Sequence, residues 1–138
     1  MLRMSYMPSD FHPILLVLGT TEDMLTLGDI LRAFAEKGGR ASLNDAGVFS
    51  TDTQVELLER DLEAATRPGL WPSGEAKNEL VWCLPKAYAA DFADAVGDLA
   101  RSGEAAGSTF LECEVADEIK VKVSIGEWED HYLTDDRR

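Results

Sequence analysis

Apolar and polar residues alternate most clearly near the carboxyl end, from Ser108 to Trp128. Leu111, Cys113 and Val115 alternate with Phe110, Glu112 and Glu114. After a short break, Ile119, Val121, Val123 and Ile125 alternate with Lys120, Lys122 and Ser124. A period of two marks strands with one buried face, so this stretch predicts a β-hairpin. Pairing Val115 with Ile119 aligns Cys113 with Val121 and Leu111 with Val123. The outer face then sets Glu114 opposite Lys120 and Glu112 opposite Lys122, each pair worth ~0.2–1 kcal/mol. The turn Ala116-Asp117-Glu118 has no glycine, so a wider loop competes with a tight one.

The rest of the chain divides by the same criteria. Pro13 to Leu18 is almost wholly apolar and predicts an inner strand. Thr20 or Thr21 then caps a helix, with Glu22 and Asp23 in its first turn, where the helix dipole favours acids. Met24, Leu27, Leu31 and Phe34 follow helical spacing up to Lys37-Gly38-Gly39. Gly28 within that helix costs about 1 kcal/mol against alanine. Arg40 to Asn44 predicts a short strand, followed by a turn through Gly47. The next segment reads two ways: a strand over Thr53 to Leu58, or a helix from Asp52 to Thr66, which local propensity favours.

An internal repeat favours the strand. Shifting the chain by 65 positions lays Leu15, Leu16 and Val17 on Leu80, Val81 and Trp82. The same shift lays Leu27, Asp29, Leu31, Phe34 and Ala35 on Phe92, Asp94, Val96, Leu99 and Ala100. The second half therefore predicts a strand at Glu79 to Leu84, a helix from Pro85 to Ser102, and then the hairpin. The expected architecture is α+β: tandem βαββ repeats, with two helices packed on a largely antiparallel sheet. Repeat one spans about 12–61, a linker about 62–78, repeat two about 79–128 and an acidic tail 129–138, in a single domain over 1–138. Arg67 to Gly74, with two prolines and two glycines around Trp71, reads as a loop. The strands near Leu16 and Val81 are apolar on both faces, and two right-handed crossovers place both helices on one. The other face needs a cover, either the Trp71 loop or a second subunit.

Charge narrows the function. There are 26 acidic residues against 13 basic ones, a formal net charge of −13. Such a surface repels nucleic-acid backbones and anionic lipid, and it favours solubility and basic partners. Cys83 and Cys113 fall in apolar strands and read as small hydrophobes. No signal peptide or membrane-length apolar run is visible, so a cytoplasmic protein is expected. Met1, Met4 and Met7 all offer translation starts, and no role is assigned to that segment.

Catalytic and cofactor motifs are missing from the sequence. There is no P-loop, GxGxxG or GxSxG. His12 and His131 have no metal-ligand spacing around them. Neither a catalytic residue, a metal ligand nor a cofactor is expected. The feature that stands out is Gly126-Glu127-Trp128-Glu129-Asp130-His131-Tyr132, where aromatic residues alternate with acids. Aromatics supply contact area and acids supply steering, so Glu127, Trp128, Glu129 and Asp130 are the candidate partner-binding residues, with Trp71 beside them. The plainer reading is a terminal segment with solvated acids.

The repeat layout, with Phe110-Leu111-Glu112 and Val123-Ser124-Ile125-Gly126-Glu127-Trp128, resembles small acidic bacterial proteins without an assigned function. Some similar proteins are regarded as immunity proteins of toxin systems. The resemblance spans most of the chain and rests on structural motifs. It implies a partner-binding role and brings no catalytic residue with it. The expected function is a non-catalytic, acidic protein-binding module of the immunity-inhibitor kind, masking a basic partner surface. The competing classes are a small-ligand sensor or enzyme, and a homodimeric structural protein.

Overall fold

The helix at Thr21–Lys37 (α1) starts where the sequence places its cap. The Asp23 amide donates to Thr20 Oγ1 at 3.2 Å, and the Thr20 amide donates to Asp23 Oδ2 at 2.8 Å, closing a capping box. The helix stops at Gly38, whose φ of 66° suits glycine and whose amide donates to Phe34 O at 2.7 Å.

The computed structural model describes residues 1–7, 13–59, 67–73, 78–102 and 107–125. In chain order its elements are β1 (Arg3–Met7), β2 (Ile14–Gly19), α1, β3 (Arg40–Ser42), β4 (Gln54–Glu59), β5 (Gly69–Pro72), β6 (Glu79–Leu84), α2 (Lys86–Arg101), β7 (Gly107–Leu111) and β8 (Lys120–Ile125). Among the described residues the strands form two four-stranded sheets, ordered β1-β2-β8-β7 and β3-β4-β6-β5. The inner pairs, β2 with β8 and β4 with β6, are parallel, and the outer pairs are antiparallel. The α+β class, the two helices and the tandem repeat stand as expected. The strands, however, are shared between two sheets.

Each repeat gains a strand that the sequence pattern hides. Arg3–Met7 pairs with β2, and Leu2 and Met4 are buried. The stretch around Trp71 is a strand on the edge of β6, not a loop. Pro72 sits at its last position, where a missing N–H is tolerated. The repeat unit is therefore ββαββ. Thr53 to Leu58 is a strand, as the repeat requires: parallel pairing with β6 buries Val55 and Leu57. That tertiary burial outweighs the helical propensity of the segment. The helix allowed after Glu59 lies outside the described residues.

The hairpin register departs from the expected one by two residues. Leu111 pairs with Val121 and Phe110 with Lys122. A shift of two keeps every side chain on its face, so the apolar side is unchanged. Glu112 meets Lys120 instead, with an ion pair of 3.2 Å. Lys122 stands over the Phe110 ring at 5.8 Å. The cause is the loop 112–118, which is wider than a tight turn. Glu114 and Asp117 take positive φ (59° and 68°), and the buried Glu118 carboxylate accepts the amides of Cys113 and Val115, each at 3.2 Å. The seven residues 112–118, which the sequence pattern gives to strand and turn, are thereby folded into a closed loop.

One continuous core lies between the helices and the inner faces of both sheets. Leu15 and Val17 of β2, Val55 and Leu57 of β4, Leu80 and Trp82 of β6, and Val121 and Val123 of β8 contribute to it. Trp82 stacks on Phe92 of α2 with ring centroids 5.7 Å apart. Gly28 of α1 faces α2, where a Cβ would lie 3.6 Å from Ala93 O.

Candidate functional site

The outer faces of the two sheets lie opposite the helices and differ in how far they are covered. On β2, Leu16 and Leu18 point away from the core, yet are 1% and 4% exposed. The chain thus buries them without a second subunit. On the second sheet the register fixes three rows across β3, β4, β6 and β5. Arg40, Leu58, Cys83 and Gly69 form one; Ser42, Glu56, Val81 and Trp71 form the next; Gln54 and Glu79 continue into the third.

The cover expected for this face is present in part. Trp71 stands beside Val81 as a neighbour in the sheet rather than as a loop folded over it. Over Gly69 and Cys83 the cover is the β7–β8 loop. A Cβ on Gly69 would come within 2.9 Å of Glu118 Oε2, and its φ of 125° also restricts the position to glycine. Arg67 ties the corner together. Its guanidinium lies 4.8 Å from the centre of the Trp71 ring and donates to Ala116 O at 3.3 Å. The Trp71 indole N–H donates to Arg67 O at 3.2 Å. Trp71 is half-buried, with the Arg67 guanidinium over its ring and its polar atom satisfied.

Next to that corner the third row opens into a shallow cleft of about 210 Å³, lined by Ser42, Gln54, Val55, Glu56, Ser73, Glu79 and Leu80. Glu56 pairs with Arg40 at 3.2 Å in an exposed bridge, which costs little to open. Glu79 is exposed and forms no ion pair among the described residues. The cleft is open and mostly polar, unlike the enclosed apolar pocket that holds a small ligand. Sequence reasoning missed Glu56 and Glu79. Only the parallel pairing of β4 with β6 sets them on one face, and that pairing joins residues far apart in the chain.

Cys83 and Cys113 are both buried. Burial pushes the Cys113 thiol up to about 12, and the nearby Glu118 carboxylate and Cys83 add to the effect. A thiol held protonated at neutral pH is a poor nucleophile and a poor metal ligand. Among the described residues no group of three His, Cys, Asp or Glu is placed to hold a metal ion. No described helix is long and apolar enough to cross a membrane. The carboxyl-terminal candidates Glu127, Trp128, Glu129 and Asp130 lie outside the described residues, as do His12 and His131.

These observations define the protein by class only: an α+β chain of tandem ββαββ repeats with a polar, acid-lined face. No family model matches the chain, and no curated protein or solved structure matches it either.

Proposed function

We propose that this is a non-catalytic, acidic binding module that engages a basic protein surface through the outer face of its second sheet. The observation that carries the reading is the cleft between Glu56 and Glu79, with Trp71 in the same row of the sheet as Glu56. An aromatic already tethered to Arg67 supplies contact area at reduced ordering cost, and the carboxylates steer and align a cationic partner. The net charge of −13 extends the attraction over the whole molecule. Glu127, Trp128, Glu129 and Asp130 belong to the same proposal as a second acidic and aromatic group. An immunity-type inhibitor, which masks a basic active surface, is the role that fits this chemistry. We place it in the cytoplasm, a reducing compartment that suits two free thiols.

The test is affinity capture from native lysate, followed by binding kinetics on the purified partner at two salt concentrations. Glu56→Gln with Glu79→Gln is expected to slow association about tenfold at low salt and much less at high salt, with thermal stability unchanged. A triple amide variant at Glu127, Glu129 and Asp130 separates the carboxyl-terminal group from the sheet face. A partner of acidic or neutral surface, or association that is insensitive to all five carboxylates, would overturn the proposal.

A further inference from the structure

Neither repeat owns a sheet. Repeat one contributes β1 and β2 to the first sheet and β3 and β4 to the second; repeat two contributes β5 and β6 to the second and β7 and β8 to the first. Both parallel inner pairs therefore join one repeat to the other. Their registers are equivalent: Leu15 pairs with Val121 and Val17 with Val123, while Leu80 pairs with Val55 and Trp82 with Leu57. The outer strands repeat the match, with Met4 opposite Val17 and Leu70 opposite Trp82. The helices meet at equivalent positions as well. Gly28 and Ala93 are 65 residues apart, the repeat offset, and they face each other across the α1–α2 contact. The molecule is thus organised about a pseudo-two-fold axis, as two interlocked copies of one unit.

We propose that the surface between the repeats also accepts a second copy of this chain, and that the protein forms dimers by exchanging repeats. Each lobe of such a dimer pairs repeat one of one chain with repeat two of the other. It contains every inter-repeat contact of the monomer, so exchange sacrifices no packing and its cost is the association entropy. The segment that joins the repeats is long enough to close the monomer without strain, so exchange competes with the monomer through chain concentration alone. Glu59 and Gly69 lie at the same end of the second sheet, beside Leu84 and Cys83 of β6, two strand spacings or roughly 10 Å apart. Nine intervening residues reach well beyond that distance.

Refolding the full-length chain from denaturant at rising concentration tests the idea. The dimer fraction should rise with chain concentration, and the dimer should persist after dilution, because reversal requires unfolding. Complementation separates exchange from ordinary surface association. One full-length chain carries Leu27→Asp and Leu31→Asp; the other carries Phe92→Asp and Val96→Asp, the equivalent buried positions of repeat two. Each alone should lose the near-ultraviolet signal of packed aromatics. Refolded together, they should recover about half of the wild-type signal, in a heterodimer with one intact lobe. A wild-type chain that stays monomeric at every concentration would overturn the proposal. So would a wild-type dimer whose variant chains fail to complement.

Discussion

Burial of Cys113 makes the stability of the molecule depend on pH in the alkaline range. The folded thiol titrates at about 12 against an ordinary value of 9.0. Between those values the unfolded chain releases a proton that the folded chain keeps, so stability falls as pH rises. The contribution is intact below pH 9 and is lost progressively towards 12, with a slope of up to about 1.4 kcal/mol per pH unit. Denaturant melts of wild type and Cys113→Ala across that range should show the slope in the first and its loss in the second. Equal slopes would mean that Cys113 is not shielded as described. The burial of Cys83 and Cys113 was legible from alternation alone. The role of Glu118 was not. Its carboxylate satisfies the amides of Cys113 and Val115, a contact that no period or propensity encodes. The positive φ angles of Glu114 and Asp117 also fall on residues that are not glycine, so the turn carried no recognisable signature.

At the scale of elements, strong local signals were reliable. The α1 cap at Thr20, the stop at Gly38 and the strand β6 all stand where periodicity and capping put them. β4 was decided by the repeat against its own helical propensity. β1 and β5 were missed for different reasons. Arg3–Met7 is short, with polar residues on one face, and Gly69–Pro72 begins and ends with residues that usually break strands. Both exist because an inner strand offers them an edge. Trp71 was found as a candidate, whereas the acidic cleft beside it needed the sheet order. Inside α1, Gly28 has room for a methyl group, since a Cβ would make an ordinary contact at 3.6 Å with Ala93 O. Gly28→Ala is therefore expected to stabilise the protein by about 0.5–1 kcal/mol through helix propensity, read as a higher denaturant midpoint with an unchanged slope. A lower midpoint would show that the helices are closer than the fold describes.

At the scale of the whole molecule, two properties follow from the interlocked sheets. The outer face of the second sheet draws its groups from both repeats: Glu56 comes from repeat one, and Trp71 and Glu79 from repeat two. The binding face proposed above therefore exists only when both repeats are folded together. The second property is cooperativity. Each sheet needs strands from both halves, so neither half has a local refuge when the other opens. Native-state hydrogen exchange measures this most directly. The reporters are the β2 amides at Leu15 to Leu18 and the β6 amides at Leu80 to Leu84, in wild type and in Leu31→Ala. Leu31 is fully buried in α1, and its truncation should cost about 2–5 kcal/mol. The interlocked fold requires that the opening free energy fall by the same amount in β2 and in β6, although the substitution lies in repeat one. Protection of β6 left at its wild-type level while β2 loosens would contradict it, and the repeats would then be independent units.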